Sequence, residues 1–189
     1  MNNLIFIYPE IFISLSIMFL LIIGVFKTKS SDLVFSLSVV TLLIVLGTLI
    51  KFPSDQEFFL FNDSYKIDQL STFMKIVTII SGIFVLISSY KYIKLAKILD
   101  IEYPILILSS ILGMLVMISS YDLIVFYVGL ELQTLSLYVL AAFDKNQKNS
   151  SEAGLKFFVL SALSSGLLLY GCSLIYGFTG STNFSLISG

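Results

Sequence analysis

Residues 102–142, EYPILILSSILGMLVMISSYDLIVFYVGLELQTLSLYVLAA, decide the architecture, because they can be read as one helix or as two. A single helix would be roughly 60 Å long at ~1.5 Å per residue, about twice the ~30 Å hydrocarbon core of a bilayer. The chain must turn within it, and Ser119-Ser120-Tyr121-Asp122 is the polar cluster near the middle. Asp122 or Ser120 can cap the second helix by accepting from its free backbone N–H groups.

Working outward, 57% of the 189 residues are hydrophobic and 12% are charged, and the mean hydropathy is +1.00. That composition belongs to a membrane protein. About 20 apolar residues are needed per helical crossing, and six stretches qualify: 4–26, 33–50, 67–90, 102–119, 121–142 and 152–178. The period-two alternation of a β-barrel is absent. The expected fold is all-α, a polytopic transmembrane helix bundle of about six spans, with residues 1–189 forming a single helical domain. Residues 1–8 carry no basic side chain and no small-residue cleavage pattern follows the first apolar run, so a cleaved signal peptide is not expected. Pro9 suits the first turn of the first span, where its missing N–H costs nothing, and Glu10 suits the positive end of that helix.

All eleven basic residues are lysines. Lys27 and Lys29 follow the first span, Lys91, Lys94 and Lys97 the third, and Lys145 and Lys148 the fifth; Lys51 and Lys66 lie at the other side. The excess places the N-terminus outside and the 27–32, 91–101 and 143–151 loops in the cytoplasm or matrix. A net charge of −1 gives no sign of a nucleic-acid partner; membrane lipid is the expected surrounding.

Absences exclude several functions. There is no histidine and Cys172 is the single cysteine, so haem, iron–sulfur and zinc sites cannot be built from their usual ligands. No phosphate-binding loop or nucleophile–base pair is present either. The reading therefore holds no catalytic, metal or cofactor-binding residue in this chain. Cys172 reads as a small buried apolar residue.

Ionisable residues inside spans usually mark an ion or proton pathway, and four stand out: Asp68, Lys75, Glu131 and Lys156. Glu131 lies about ten residues, ~15 Å, into the fifth span, near the bilayer centre. An acidic side chain there costs about 2.5 kcal/mol or more on insertion scales. Desolvation also disfavours its charged form, which makes proton uptake and release accessible. The competing reading is a packing role, through Gln133 or Thr134. Lys75 follows Asp68 by seven residues, so both share a face, and its depth, ~14 Å counted from Lys66, suggests an approach to Glu131 across helices. The plainer alternative points Lys75 into a polar gap or toward another subunit. Lys156 follows Glu152 by four residues, which favours an ion pair; it reads either as an interfacial anchor or as a mobile cation at the mouth of a proton path. Asp68, near the outer edge, also fits a cap or surface charge. Ser161 and Ser165, with Ala162 and Gly166, repeat at a spacing of four and suggest a helix face that packs closely on a neighbour.

The segments GLELQTLSLYVLAAF (129–143) and SEAGLKFFVLSALSSGLLLYGCSLIYGFTGS (151–181), with YPEIF (8–12) and KIDQLSTFMK (66–75), strongly resemble the subunit N family of NADH-quinone oxidoreductase. This family, also called NADH dehydrogenase subunit 2, comprises antiporter-like subunits of the membrane arm of respiratory complex I. The resemblance covers essentially the whole chain. It implies proton translocation coupled to electron transfer from NADH to quinone, with NADH, FMN, iron–sulfur clusters and quinone held by other subunits. The family's fifth-helix glutamate corresponds to Glu131, and the sixth-helix lysine of EAGLK to Lys156. In that picture Glu131 tunes the proton affinity of a central lysine and belongs to the relay.

Family members have fourteen helices in two inverted repeats with broken helices; this chain stops after six, without the lysines of the seventh, eighth and twelfth. The domain is therefore expected to be incomplete relative to the family fold. The partners implied are other complex I membrane-arm subunits and, for a split subunit, a separate polypeptide carrying the remaining helices. An independent cation/proton antiporter component and a truncated remnant with a structural role are the alternatives. The final Asn183-Phe184-Ser185-Leu186 stretch reads as a loop before another helix. Lysine without arginine, with much isoleucine, asparagine and phenylalanine, suggests an AT-rich coding sequence, which fits a bacterial inner membrane or the mitochondrial inner membrane.

Overall fold

A computed structural model describes residues 7–26, 31–51, 57–95, 100–144 and 147–188. Residues 1–6, with the expected start of the first span, and Lys27, Lys29, Lys97 and Lys145 lie outside the described residues. A helix occupies each apolar stretch: α1 (Tyr8–Phe26), α2 (Ser31–Lys51), α3 (Gln69–Leu95), α4 (Glu102–Ile118), α5 (Leu123–Ala141) and α6 (Lys148–Thr179), followed by one turn, α7 (Phe184–Ile187). Five are long and apolar enough to cross a membrane, and α4, with 17 residues, is a shorter apolar helix. The protein is a multi-pass, predominantly helical membrane protein.

The turn in the deciding stretch falls at Ser119–Asp122. Asp122 is the N-cap of α5, with Oδ1 accepting from the Ile124 N–H at 2.8 Å. Its Oδ2 accepts from Thr182 Oγ1 at 2.5 Å, so one buried carboxylate ties the α4–α5 turn to the segment after α6. That segment ends α6 at Gly180, whose φ of 69° is the left-handed conformation glycine adopts without strain.

Three boundaries differ from expectation. Ile67, the expected start of the third span, is not helical: β1 (Phe58–Leu60) and β2 (Tyr65–Ile67) form an antiparallel hairpin with Leu60 opposite Tyr65. Its turn uses Phe61, Asn62 and Asp63 at positive φ. Asp68 then starts α3, accepting from the Ser71 N–H at 2.7 Å while its own N–H donates to Ser71 Oγ at 2.8 Å, a reciprocal cap. α6 begins four residues early, because the polar stretch Lys148–Ser151 extends it while Ser150 Oγ donates to the Ala141 carbonyl at 2.9 Å. Phe184–Ile187 is a helical turn rather than a loop, capped by Asn183, which accepts from the Ser185 N–H.

The helices alternate in direction. One end gathers the start of α1, the hairpin, the α4–α5 turn and the end of α6, linked by the Tyr65–Ser120 and Asp122–Asn183 bridges. The other end joins Lys94 and Tyr90 of α3 to Asp32 of α2, and Tyr103 of α4 to Phe143. The apolar core lies among α1–α4, with Ile13, Leu42, Val45, Ile79, Leu86 and Leu108 buried. α5 lies on α4 and α6 on α5, in successive layers.

A direct backbone-to-backbone helix contact comes from glycines outside the expected small-residue face. A Cβ on Gly113 of α4 would lie 2.6 Å from Gln133 N and 2.7 Å from Gly129 O; one on Gly129 of α5 would lie 2.9 Å from Met117 N. The backbones of α4 and α5 meet directly there. On α6 the Ser161–Ser165 edge turns toward α5, but Ala162 and Gly166 are exposed, and nothing lies within 4 Å of a Cβ added at Gly166. Cys172 is half-buried rather than buried, because α6 contacts α5 along one edge; among its described residues only Gly154 is buried.

Candidate proton-handling sites

Glu131 projects from the middle of α5, half-buried, toward α6. Counted from Leu123, the first residue of α5, it lies ~12 Å along the helix. Its carboxylate accepts a hydrogen bond from Ser165 Oγ of α6, and Ser165 Oγ lies 2.9 Å from the Tyr127 hydroxyl. With the serine proton committed to Glu131, Tyr127 is the donor to Ser165, so hydroxyls form a chain leading to the carboxylate. A cavity of about 120 Å³ opens beside it, lined by Thr134, Tyr138, Ser161, Ser164 and Ser165 among others. The packing role through Gln133 or Thr134 takes another form. Thr134 Oγ1 donates to the backbone carbonyls of Leu130 and Glu131, and the partner of the Glu131 side chain is Ser165. The i,i+4 serine pair of α6 was the sequence signal for this contact, legible as packing alone.

Lys75 does not meet Glu131. Its Nζ lies 2.7 Å from Glu10 Oε1, both side chains are almost wholly buried, and α4 packs between α3 and α5. Among the described residues no hydrogen bond or ion pair joins Lys75 to Glu131. Residues 66 and 67 are strand, so from Gln69, the first residue of α3, Lys75 lies ~9 Å along its helix against ~12 Å for Glu131; similar depth did not bring them together because α4 intervenes. Helical side chains also lean toward the N-terminus, which carries the ammonium back to the first turn of α1. Tyr65 of β2 completes the cluster: its hydroxyl donates to Glu10 Oε1 at 2.8 Å, and the Lys75 ammonium sits 5.4 Å from its ring centroid. Burial, then the adjacent Glu10 carboxylate, pushes the Tyr65 phenol well above its ordinary range. Removing one member of a buried ion pair strands the other charge, at a cost of about 3–5 kcal/mol. Glu10, placed by sequence at a favourable helix end, was missed as the partner because 65 residues separate it from Lys75 and only tertiary packing joins them.

Asp68 and Lys156 sit nearer water. Asp68 caps α3 and lies 3.4 Å from Lys66 Nζ. Partial burial pulls its carboxyl upward, but the Ser71 hydrogen bonds and Lys66 outweigh it and hold it below the ordinary value. Lys156 Nζ lies 2.6 Å from Glu152 Oε1, with both side chains exposed, the i,i+4 pair that the spacing suggested. Among the described residues no cluster of three or more metal-ligating side chains occurs.

The chain is similar to known proteins in sequence and in fold. The family described as NADH:quinone oxidoreductase/Mrp antiporter, TM, matches residues 120–189. NADH-quinone oxidoreductase subunit N of Pelagibacter ubique is 66% identical over 187 residues, which is 99% of this chain and 40% of the relative. Subunit N of Bartonella bacilliformis is 48% identical over 98% of this chain and 38% of its own length. The chain thus spans about 40% of the length of the curated relatives it matches. Among solved structures, a chain of respiratory complex I from Thermus thermophilus with bound aureothin is 25% identical, with a TM-score of 0.78 over 93% of this chain and 38% of that one. A chain of the membrane-bound sulfane sulfur reductase, an archaeal respiratory membrane complex, shares the fold at a TM-score of 0.79 and 19% identity, over 95% of this chain and 38% of that one.

Proposed function

We propose that this chain, which is 66% identical to an NADH-quinone oxidoreductase subunit N over 40% of that relative's length, serves in proton translocation within the membrane arm of a proton-pumping NADH:quinone oxidoreductase. It carries no electrons itself; NADH, FMN, iron–sulfur clusters and quinone belong to other subunits of the enzyme. The membrane is a bacterial inner membrane or the mitochondrial inner membrane.

The observation that carries the reading is Glu131, a carboxylate in mid-helix at the end of a hydroxyl chain from Tyr127 through Ser165. An isolated charge at that depth is costly, and here it faces α6, which is exposed along nearly its whole length. The remaining helices of the relatives, in a continuation of the chain or in a separate polypeptide, cover this face and bring a basic side chain toward Glu131. A change in that cation's position then raises or lowers the cost of charge on Glu131 and moves a proton on or off it. Lys156 serves at the opposite end of the path, held by Glu152 at the entrance. Asp68 orders the start of α3, and Lys75 acts with Glu10 away from this path.

The test is Glu131→Gln in the assembled enzyme, read as NADH-driven proton uptake by inverted membrane vesicles alongside NADH oxidation. The amide keeps the size and one acceptor but cannot be charged, so uptake should fall severalfold in assembled enzyme. Uptake equal to the parent's would refute the relay role. Co-purification of flavin and iron–sulfur subunits through a tag on this chain separates complex I membership from an independent antiporter.

A further inference from the structure

Outside the Glu131 path, the densest buried polar group is the junction of α1, β2, α3 and the α4–α5 turn. Glu10 Oε1 carries two contacts, from Lys75 Nζ and the Tyr65 hydroxyl. Glu10 Oε2 is buried and, among the described residues, has no hydrogen-bond partner; the same holds for Ser119 Oγ. Both belong to the surroundings of one phenol: Tyr65 donates to Glu10, and the Ser119 hydroxyl neighbours it. The backbone fixes this meeting, because the Lys66 N–H donates to the Ser119 carbonyl at 2.8 Å and the Tyr121 N–H to the Ser64 carbonyl at 2.9 Å. Two buried polar atoms left over in a well-braced site are the usual anchors of an internal water.

We propose that Glu10 Oε2 is a second proton-loading position, supplied by one internal water that is anchored on Ser119 Oγ, with Lys75 and Tyr65 controlling its occupancy. On loading, an O–H bond of the water breaks as an O–H bond forms at Glu10 Oε2, and the water regains its proton from the aqueous phase at the hairpin end of the bundle. One proton enters, and Glu10 becomes a neutral acid. Unloading reverses each bond. The Lys75 ammonium opposes loading, because it stabilises the carboxylate. The Tyr65 hydroxyl does the same by donating to that carboxylate. The other charged or titratable groups around the junction are Lys66 and Asp68 beside β2, and Tyr121 and Asp122 in the turn. A purely structural ion pair would need no unpartnered carboxylate oxygen; Glu10 Oε2, with a second unpartnered hydroxyl beside the same phenol, sets this cluster apart.

The inference rests on the proposed translocation role, so its test runs beside Glu131→Gln in the assembled enzyme. The double variant Glu10→Gln/Lys75→Met replaces the pair with neutral groups of similar size and strands no charge. It should assemble normally, yet show proton uptake severalfold below the parent and an altered ratio of uptake rates in H2O and D2O. Ser119→Ala, which removes one water anchor without adding volume, should change the isotope ratio in the same direction. A double variant that pumps like the parent with an unchanged isotope ratio overturns the proposal. If the double variant fails to assemble, Ser119→Ala decides: unchanged uptake and isotope ratio overturn it. Loss of uptake in Glu131→Gln with none in these variants refutes this site alone, whereas unchanged uptake in Glu131→Gln refutes the translocation reading.

Discussion

Gly113→Ala should separate the packing of this protein from its apolar character. The new methyl would lie 2.6 Å from Gln133 N and 2.7 Å from Gly129 O, both backbone atoms of α5. Ordinary contact needs ~3.4 Å or more, so α5 must retreat by roughly 0.8 Å, since no flexible side chain can yield instead. Overpacking of this kind costs about 1–3 kcal/mol, and the better helix propensity of alanine returns ~1 kcal/mol, leaving a net loss of up to about 2 kcal/mol. Residues 129–133 are the segment that carries Glu131, so the same displacement moves its carboxylate relative to Ser165. The control is Gly47→Ala in α2, where nothing lies within 4 Å of the added carbon; there the propensity gain acts alone and stability rises. Unfolding of the purified full-length protein in detergent, with proton uptake measured in vesicles, reads both effects. If Gly113→Ala is as stabilising as Gly47→Ala, the backbone contact between α4 and α5 is refuted.

Asp122→Ala removes the α5 cap and the Thr182 hydrogen bond together. It should cost about 1–2 kcal/mol, seen as a lower unfolding midpoint, and should speed amide exchange at Ile124 and around Thr182. Lys156→Gln breaks an exposed i,i+4 pair and should change stability by less than about 0.5 kcal/mol; a severalfold fall in proton uptake at unchanged stability would assign the lysine to the path, and unchanged uptake would leave it an anchor. Tyr65 is held protonated in the folded state above its ordinary value of 10.0. Its contribution to stability is therefore complete below that pH and declines as pH rises beyond it towards the folded-state value. Tyr65→Phe should flatten the decline of unfolding midpoint with alkaline pH, and an unaltered slope would contradict the burial of the phenol.

The membrane character, the turn at Ser119–Asp122, the Asp122 cap and the Glu152–Lys156 pair were legible in the sequence, because each depends on hydropathy or on residues within one helical turn. The hairpin was not. Its strands are three residues long, and three consecutive non-glycine residues at positive φ are not the turn chemistry that marks a hairpin. Glu131 stood out by its position in an apolar run, whereas its partners required knowing which edge of α6 meets α5. The glycines at 113 and 129 carried the close approach because they face each other, a fact that spacing within either helix cannot reveal.

Sequence alone determined that the chain crosses a membrane repeatedly and that Glu131 is an expensive charge within it, since transfer free energy depends on composition and depth along one helix. Only the tertiary structure decided which groups satisfy each buried or half-buried charge. Lys75 went to Glu10, and Glu131 to Ser165, because in a low-dielectric interior an ionisable group is governed by the few groups within hydrogen-bonding distance. Those neighbours are chosen by helix packing across 65 residues in one case and 34 in the other.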